Sequence, residues 1–313
     1  MGTSRAPDRR RFLVLGDWGR RGAPGQRCVA EAMAEDAARG GCDFVVTTGD
    51  NFYDDGVGGH VDPHWHDSFE RVYAAPSLQV PWYAALGNHD HRGSIEAQIA
   101  RSQDDPRWRM PARRYVASFP GPAGGLDLFV IDTTAWLAEG GPSWDDRVIR
   151  RAETDPRSEA AWLRARLGRS RAARTIVVGH HPVLSGSPCH GSSEELQRWL
   201  APILEEHRVD LYLAGHEHDL QHLEAGGVHH AVSGAGAEVR PTGTLPESVF
   251  ADAALGYVVV EVDLARPRAA LSVAWTSVDG GVVHEARVEG PPTTPRRWGG
   301  RPARRSTPRD AAE

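Results

Sequence analysis

Asp50 and Tyr53 stand three residues apart in Gly49-Asp50-Asn51-Phe52-Tyr53, just past the apolar run Phe44-Val45-Val46. A backbone bend after Thr48 would turn the carboxylate and the phenol oxygen toward one point. Two hard anionic oxygens at one point suit a highly charged, oxygen-preferring cation, Fe(III) better than Zn(II). An isolated Asp-x-x-Tyr carries little weight, because a turn aspartate followed by a packed tyrosine is the ordinary case. Four further segments supply the weight, each ending an apolar run in glycine and a metal-capable side chain. They are Gly16-Asp17 after Phe12–Leu15, Gly87-Asn88-His89-Asp90 after Trp82–Leu86, Gly179-His180-His181 after Thr175–Val178, and Gly215-His216-Glu217-His218 after Leu211–Ala214.

Continuous apolar runs this short read as strands buried on both faces, and helical patterns between several of them make the chain α/β. Helices are expected near 26–39, 65–74, 94–103, 158–168 and 193–207, the last opened by a capping box of Ser192 and Glu195. Later strands are expected at 128–132, 228–233, 257–263 and 271–278, the final two as a closing antiparallel pair. Residues 104–125 and 137–157 are rich in Pro, Arg and Asp and read as long surface loops. In open α/β sheets chemistry gathers outside the carboxyl ends of the strands. Five strand ends carrying Asp, Asp/Tyr, Asn/His, His and His/His therefore predict one shared site.

The chain has 313 residues, 40% of them hydrophobic, enough for a substantial core. A net charge of −6 argues against wholesale nucleic-acid binding. Three cysteines are too few for a disulfide scaffold, and Cys28 and Cys42 read as buried thiols. No segment resembles a membrane span, and Phe12–Leu15 is too short for the apolar core of an export signal. The expectation is a soluble protein, cytoplasmic by default and exported if the N-terminus was processed. Residues 1–10 read as a flexible arm, 11–290 as a single domain and 291–313 as a disordered basic tail whose composition cannot offset the entropy of ordering.

The five motifs resemble those of the metallophosphoesterase (calcineurin-like phosphoesterase) superfamily. Within it they resemble the purple acid phosphatases of the small tartrate-resistant kind. Most superfamily members carry Asp-x-His in the first motif, where this chain has Asp17-Trp18-Gly19. In purple acid phosphatases the Tyr of the second motif replaces that histidine, and Tyr53 is present. Val80-Pro81-Trp82-Tyr83, Asn88-His89-Asp90-His91, Ser94-x-x-Ala97-Gln98-Ile99-Ala100, Arg107-Trp108 and Gly215-His216-x-His218-x-Leu220-Gln221 extend the likeness over roughly 12–285.

The resemblance implies a four-layer α/β/β/α sandwich of two mixed β-sheets flanked by helices, and a dinuclear metal site. Carried over by motif, Fe(III) would take Asp17, Asp50, Tyr53 and His218. Fe(II), Zn(II) or Mn(II) would take Asp50, Asn88, His180 and His216. Three anionic ligands against five positive charges leave a surplus of about two, which suits a phosphate anion in an acidic protein. The implied reaction is hydrolysis of a phosphate monoester, on a small ester or a phosphoprotein, by a metal-bound hydroxide, carried out by a monomer. His89 is the first candidate for protonating the leaving group and His190 the second, although Cys189-His190-Gly191 is shifted by one residue from the family's spacing. Asp90 either orients His89 or caps the next helix, His181 could line the pocket, and Trp18 could line its mouth. A phosphodiesterase or nucleotide-directed enzyme on the same centre is the alternative, and a metal-bearing binding or redox protein the third reading.

Overall fold

The computed structural model describes residues 8–137, 155–265, 270–279 and 281–289. Two seven-stranded mixed sheets pack face to face. The first contains β1 (Arg9–Leu15), β2 (Phe44–Thr47), β3 (Trp82–Ala84), β4 (Trp108–Arg109), β12 (Gly256–Asp263), β13 (Leu271–Ser277) and β14 (Gly281–Val288), ordered β14-β13-β12-β1-β2-β3-β4. The second contains β5 (Tyr115–Phe119), β6 (Leu126–Val130), β7 (Arg174–Val178), β8 (Leu211–Ala214), β9 (Leu220–Ala225), β10 (Val228–Ser233) and β11 (Ser248–Asp252), ordered β11-β9-β10-β8-β7-β6-β5.

Period-two alternation explains the layering. Ile176, Val178, Leu211 and Leu213 point into the core between the sheets, while Val177, Tyr212 and Ala214 point into a second core beneath the helices. That outer core is closed by α3 (Pro156–Leu167), α4 (Glu194–Trp199) and α5 (Ala201–Glu206), through Leu163, Leu167, Leu196, Leu200, Ile203 and Leu204. On the other side α1 (Pro24–Gly40) buries Val29, Ala30, Met33 and Ala37 against the first sheet. Strands β1, β2, β3 and β4 are mutually parallel, as are β6, β7, β8 and β10. All five motif-bearing ends consequently belong to parallel runs, three in one sheet and two in the other.

Several local expectations change. The helix read over 193–207 is two helices, because Pro202 sits in the first turn of α5 and cannot supply the amide that would continue α4. Ser193, not Ser192, caps α4, accepting from the Leu196 amide at 3.2 Å, while Ser192 is bonded to Ser185. The stretch 65–74 holds only a short helix, Trp65–Glu70. The loop read over 104–125 contains β4 and β5, with Tyr115 donating to the Ala84 carbonyl at 3.0 Å. The N-terminal arm ends earlier than expected, since Arg9 and Arg10 already pair with Asp263 and Val262 of β12. Cys28 is exposed rather than buried, and Cys42 is half-buried, its thiol pushed up to about 11 by burial. The arm before residue 8, most of the 137–157 loop and the 291–313 tail lie outside the described residues. Among the described residues no helix is long and apolar enough to cross a membrane.

Candidate metal centre

The turns that follow the five strands bring the seven candidate ligands into one buried pocket. The Tyr53 phenol oxygen is its focus, 2.8 Å from Asp17 Oδ1, 2.8 Å from Asp50 Oδ2 and 3.2 Å from His218 Nε2. A second group adjoins it: His180 Nε2 lies 3.1 Å from Asn88 Oδ1, 3.3 Å from His216 Nδ1 and 3.5 Å from Asp50 Oδ2. One carboxylate oxygen of Asp50 thus faces both groups. The Nδ1 of His180 sits 2.8 Å from the Thr48 carbonyl, an acceptor only, so Nδ1 donates there and Nε2 faces the pocket.

Local backbone geometry makes this convergence. Asp17, Asp50 and His216 have φ of 58°, 48° and 70°, left-handed conformations that side chains rarely adopt and that concentrate at functional sites. Each follows a glycine directly, two residues past the strand end at Asp17 and His216 and three past it at Asp50. Gly87 lets a candidate ligand approach its backbone: a Cβ there would lie 2.2 Å from Asp50 Oδ1.

The electrostatics suit cations. Burial pushes the Asp17 carboxyl up to about 7, with Asp50 adding to the rise and His180 opposing it. Burial also acts on Asp50, but His180, His89 and the His89 amide outweigh it and hold this carboxyl below the usual range. Burial, Asp17 and Asp50 drive the Tyr53 phenol well above its ordinary value. Burial and the surrounding imidazoles drive His216 well below its ordinary value, and burial with Arg240 takes His218 down to about 4. Crowded acidic oxygens beside imidazoles whose protonation burial disfavours are the donor set two bound cations would satisfy. The Arg20 guanidinium lies 3.8 Å over the Tyr53 ring, a position that favours the phenolate once a cation relieves the carboxylates.

His89 stands beside this set. Its Nδ1 is 2.6 Å from the Asp54 carbonyl and 2.9 Å from Arg92 Nη1, and Nε2 faces Asp50 Oδ2 at 3.9 Å. His190 lies at the other rim, its ring 4.2 Å from that of His216 and its Nδ1 3.4 Å from Glu217 Oε2.

A search of family models matches residues 10–220 to the calcineurin-like phosphoesterases. The chain belongs to that family. Among its curated relatives are purple acid phosphatase 17 of Arabidopsis thaliana, 41% identical over 236 residues, covering 72% of this chain and 68% of the relative. The tartrate-resistant acid phosphatase type 5 of Sus scrofa is 35% identical over 248 residues, covering 74% and 71%. Among solved structures, GAP50, described as the anchor in the inner membrane complex of Plasmodium, superposes with a TM-score of 0.75 at 26% identity, over 90% of this chain and 89% of that one. The lupin purple acid phosphatase PPD1 shares the fold at a TM-score of 0.65 and 17% identity, over 90% of this chain and 54% of that one.

Within this phosphoesterase frame several supporting roles differ from the sequence expectation. Asp90 neither orients His89 nor caps α2 (Ile95–Asp104), whose cap is Ser94. It accepts instead from the Gly87 amide at 2.9 Å, the Asn51 amide at 3.1 Å and Gln98 Nε2 at 2.9 Å, tying the second and third motifs together. Trp18 is fully buried, away from the mouth, donating to Asn51 Oδ1 at 3.2 Å. His181 is buried beside His216, its Nδ1 2.9 Å from the Thr133 hydroxyl. That hydroxyl also accepts from the amides of His180 and His181 at 3.1 and 3.0 Å. Thr133 was missed because the strand before it ends without the glycine that marked the other motifs. Arg20 and Glu217 were missed because only packing shows what they touch; Glu217 is fully buried and accepts from the His190 and Gly191 amides at 3.2 and 2.8 Å.

Proposed function

We infer that this phosphoesterase is an acid phosphatase hydrolysing phosphate monoesters at a dinuclear metal centre, on a small ester or a phosphoprotein. The observation that carries the reading is the Tyr53 phenol at the convergence of Asp17, Asp50 and His218, in a chain whose relatives are named purple acid phosphatases. In this reading Asp17, Tyr53, His218 and Asp50 would hold Fe(III), and Asp50, Asn88, His180 and His216 would hold Fe(II), Zn(II) or Mn(II). Two such cations lower the pKa of a water and neutralise charge on the phosphoryl group.

The remaining tasks fall to the chain. His89, its Nδ1 anchored between the Asp54 carbonyl and Arg92, turns Nε2 toward the pocket, where it would deliver a proton to the departing ester oxygen. His190 is a second proton-bearing group at the rim, kept in place by Glu217. The protein acts as a monomer, without nucleic-acid partners.

The test is paired. Iron-loaded protein should show a broad visible tyrosinate band that Tyr53→Phe abolishes, and kcat/KM for a phosphate monoester should exceed that for a bis-ester. Faster bis-ester turnover would move the assignment to a diesterase. A second reading, a metal-bearing binding protein, draws on the likeness to the Plasmodium anchor. Metal-loaded protein without turnover on either ester would favour it.

A further inference from the structure

The β9–β10 hairpin carries a second cluster of metal-capable groups that shares no residue with the phosphoester site. His222 and Glu224 are two apart on β9 and project from one face. His229 of β10 is paired directly opposite Glu224 and adds its ring to that face. His222 Nε2 lies 3.0 Å from His229 Nδ1, and Glu224 Oε1 lies 3.7 Å from the first and 3.4 Å from the second. Tetrahedral zinc with bonds of ~2.0–2.1 Å separates its donors by ~3.3–3.4 Å. The circle through these three atoms has a radius of about 2.0 Å, so one point stands at bonding distance from all of them.

The surroundings match as well. The other nitrogen of His222, Nδ1, is 3.0 Å from Nε2 of His284 on β14, in the opposite sheet. An outer hydrogen bond of this kind fixes the ring of a ligating histidine. Trp275 stacks on His222 with centroids 4.7 Å apart, and Phe250 stacks on His284 at 4.7 Å. Burial, with neighbouring imidazoles, takes His222 down to about 3, and burial lowers His229 and His284 too, a direction that favours the neutral, ligating ring. Glu224 is 53% exposed and His229 17%, which leaves an entry path and a side for a water as fourth ligand.

We propose that His222, Glu224 and His229 form a binding site for one divalent transition-metal ion of the zinc type, distinct from the phosphoester centre. Because His222 is tied through His284 to β14, an ion there fastens the β9–β10 hairpin of one sheet to the edge strand of the other.

The experiment titrates full-length protein with Zn(II) alone, after its phosphoester site has been loaded and its metal content verified by elemental analysis. Calorimetry should show one further equivalent bound and the unfolding temperature should rise with it. His229→Ala should abolish that equivalent, and Glu224→Gln, an exposed change that the fold tolerates, should weaken it about tenfold or more. Both variants should hydrolyse phosphate monoester at the wild-type rate. No further equivalent in the wild type would overturn the proposal. So would an equivalent that persists with unchanged affinity in both variants.

Discussion

Replacing His230 with leucine isolates a cost built into the second sheet. The ring is 2% exposed on β10, and neither nitrogen has a hydrogen-bond partner among the described residues. Burial, with His229 adding to it, takes its pKa down to about 3. The unfolded chain binds a proton on this residue below about pH 6.5, while the folded chain refuses it until far lower. A depressed folded pKa means that the stability is complete above the unfolded value and is lost as pH falls toward the folded one. Between pH 7.5 and pH 5 the loss from this single group is about 2 kcal/mol, from RT ln(1 + 10^(pKa − pH)) with the unfolded pKa. Leucine abolishes the term. The packing change contributes equally at both pH values, so the quantity to read is the change in ΔΔG between them. Urea unfolding of both proteins at pH 7.5 and pH 5, metal content held equal, should show the variant gaining about 2 kcal/mol on the wild type as pH falls. A difference that stays constant with pH to within about 0.5 kcal/mol would refute the reasoning, because His230 would then be protonated in the fold.

His89→Ala should slow esters of poor leaving groups by about 10²-fold or more and esters of good leaving groups much less, read from a leaving-group series. Equal slowing across the series rejects proton donation by His89. Thr133→Val keeps the shape but removes the oxygen that accepts from the His180 and His181 amides. Two buried donors left unpaired should cost roughly 2–4 kcal/mol of stability. Equilibrium dialysis should show affinity for the divalent metal about tenfold lower; unchanged affinity would mean the His180 loop holds itself. Gly87→Ala should expel both metals and abolish turnover, since the new methyl would come within 2.2 Å of Asp50 Oδ1 and displace it, whereas Gly59→Ala, with nothing within 4 Å, should change neither. Metal retained in Gly87→Ala, measured by elemental analysis, would show that Asp50 can move without loss.

The five motif strands were readable because each is apolar on both faces and stops at a glycine, a pattern few helices imitate. Edge strands lack that pattern. β11 is five residues long with no residue buried, and β14 exposes Gly281, Val282 and Val283, so neither carries a continuous apolar run. β5 was hidden by charged flanks: Arg113 and Arg114 precede Tyr115, and the half-buried faces of Val116, Ala117 and Phe119 show only weak alternation. The candidate ligands were legible as residue types, and the structure brings all seven together. Their geometry was not legible, because the positive φ of Asp17, Asp50 and His216 is imposed by packing that the linear chain does not display. Thr133 and Glu217 belong to the same class, polar groups whose task is set by neighbours 47 and 27 residues away.

The candidate ligands divide between the sheets, Asp17, Asp50, Tyr53 and Asn88 following strands of the first and His180, His216 and His218 following strands of the second. The spacing of two cations held by these groups would therefore be a readout of how one sheet slides over the other. Core side chains such as Val46, Ile176 and Leu213, buried three or four residues before Asp50, His180 and His216, act as the shims of that adjustment. A methyl group added or removed there shifts one half of the donor set against the other. Metal choice and reactivity can consequently drift, in evolution or in design, through substitutions that leave every ligand in place.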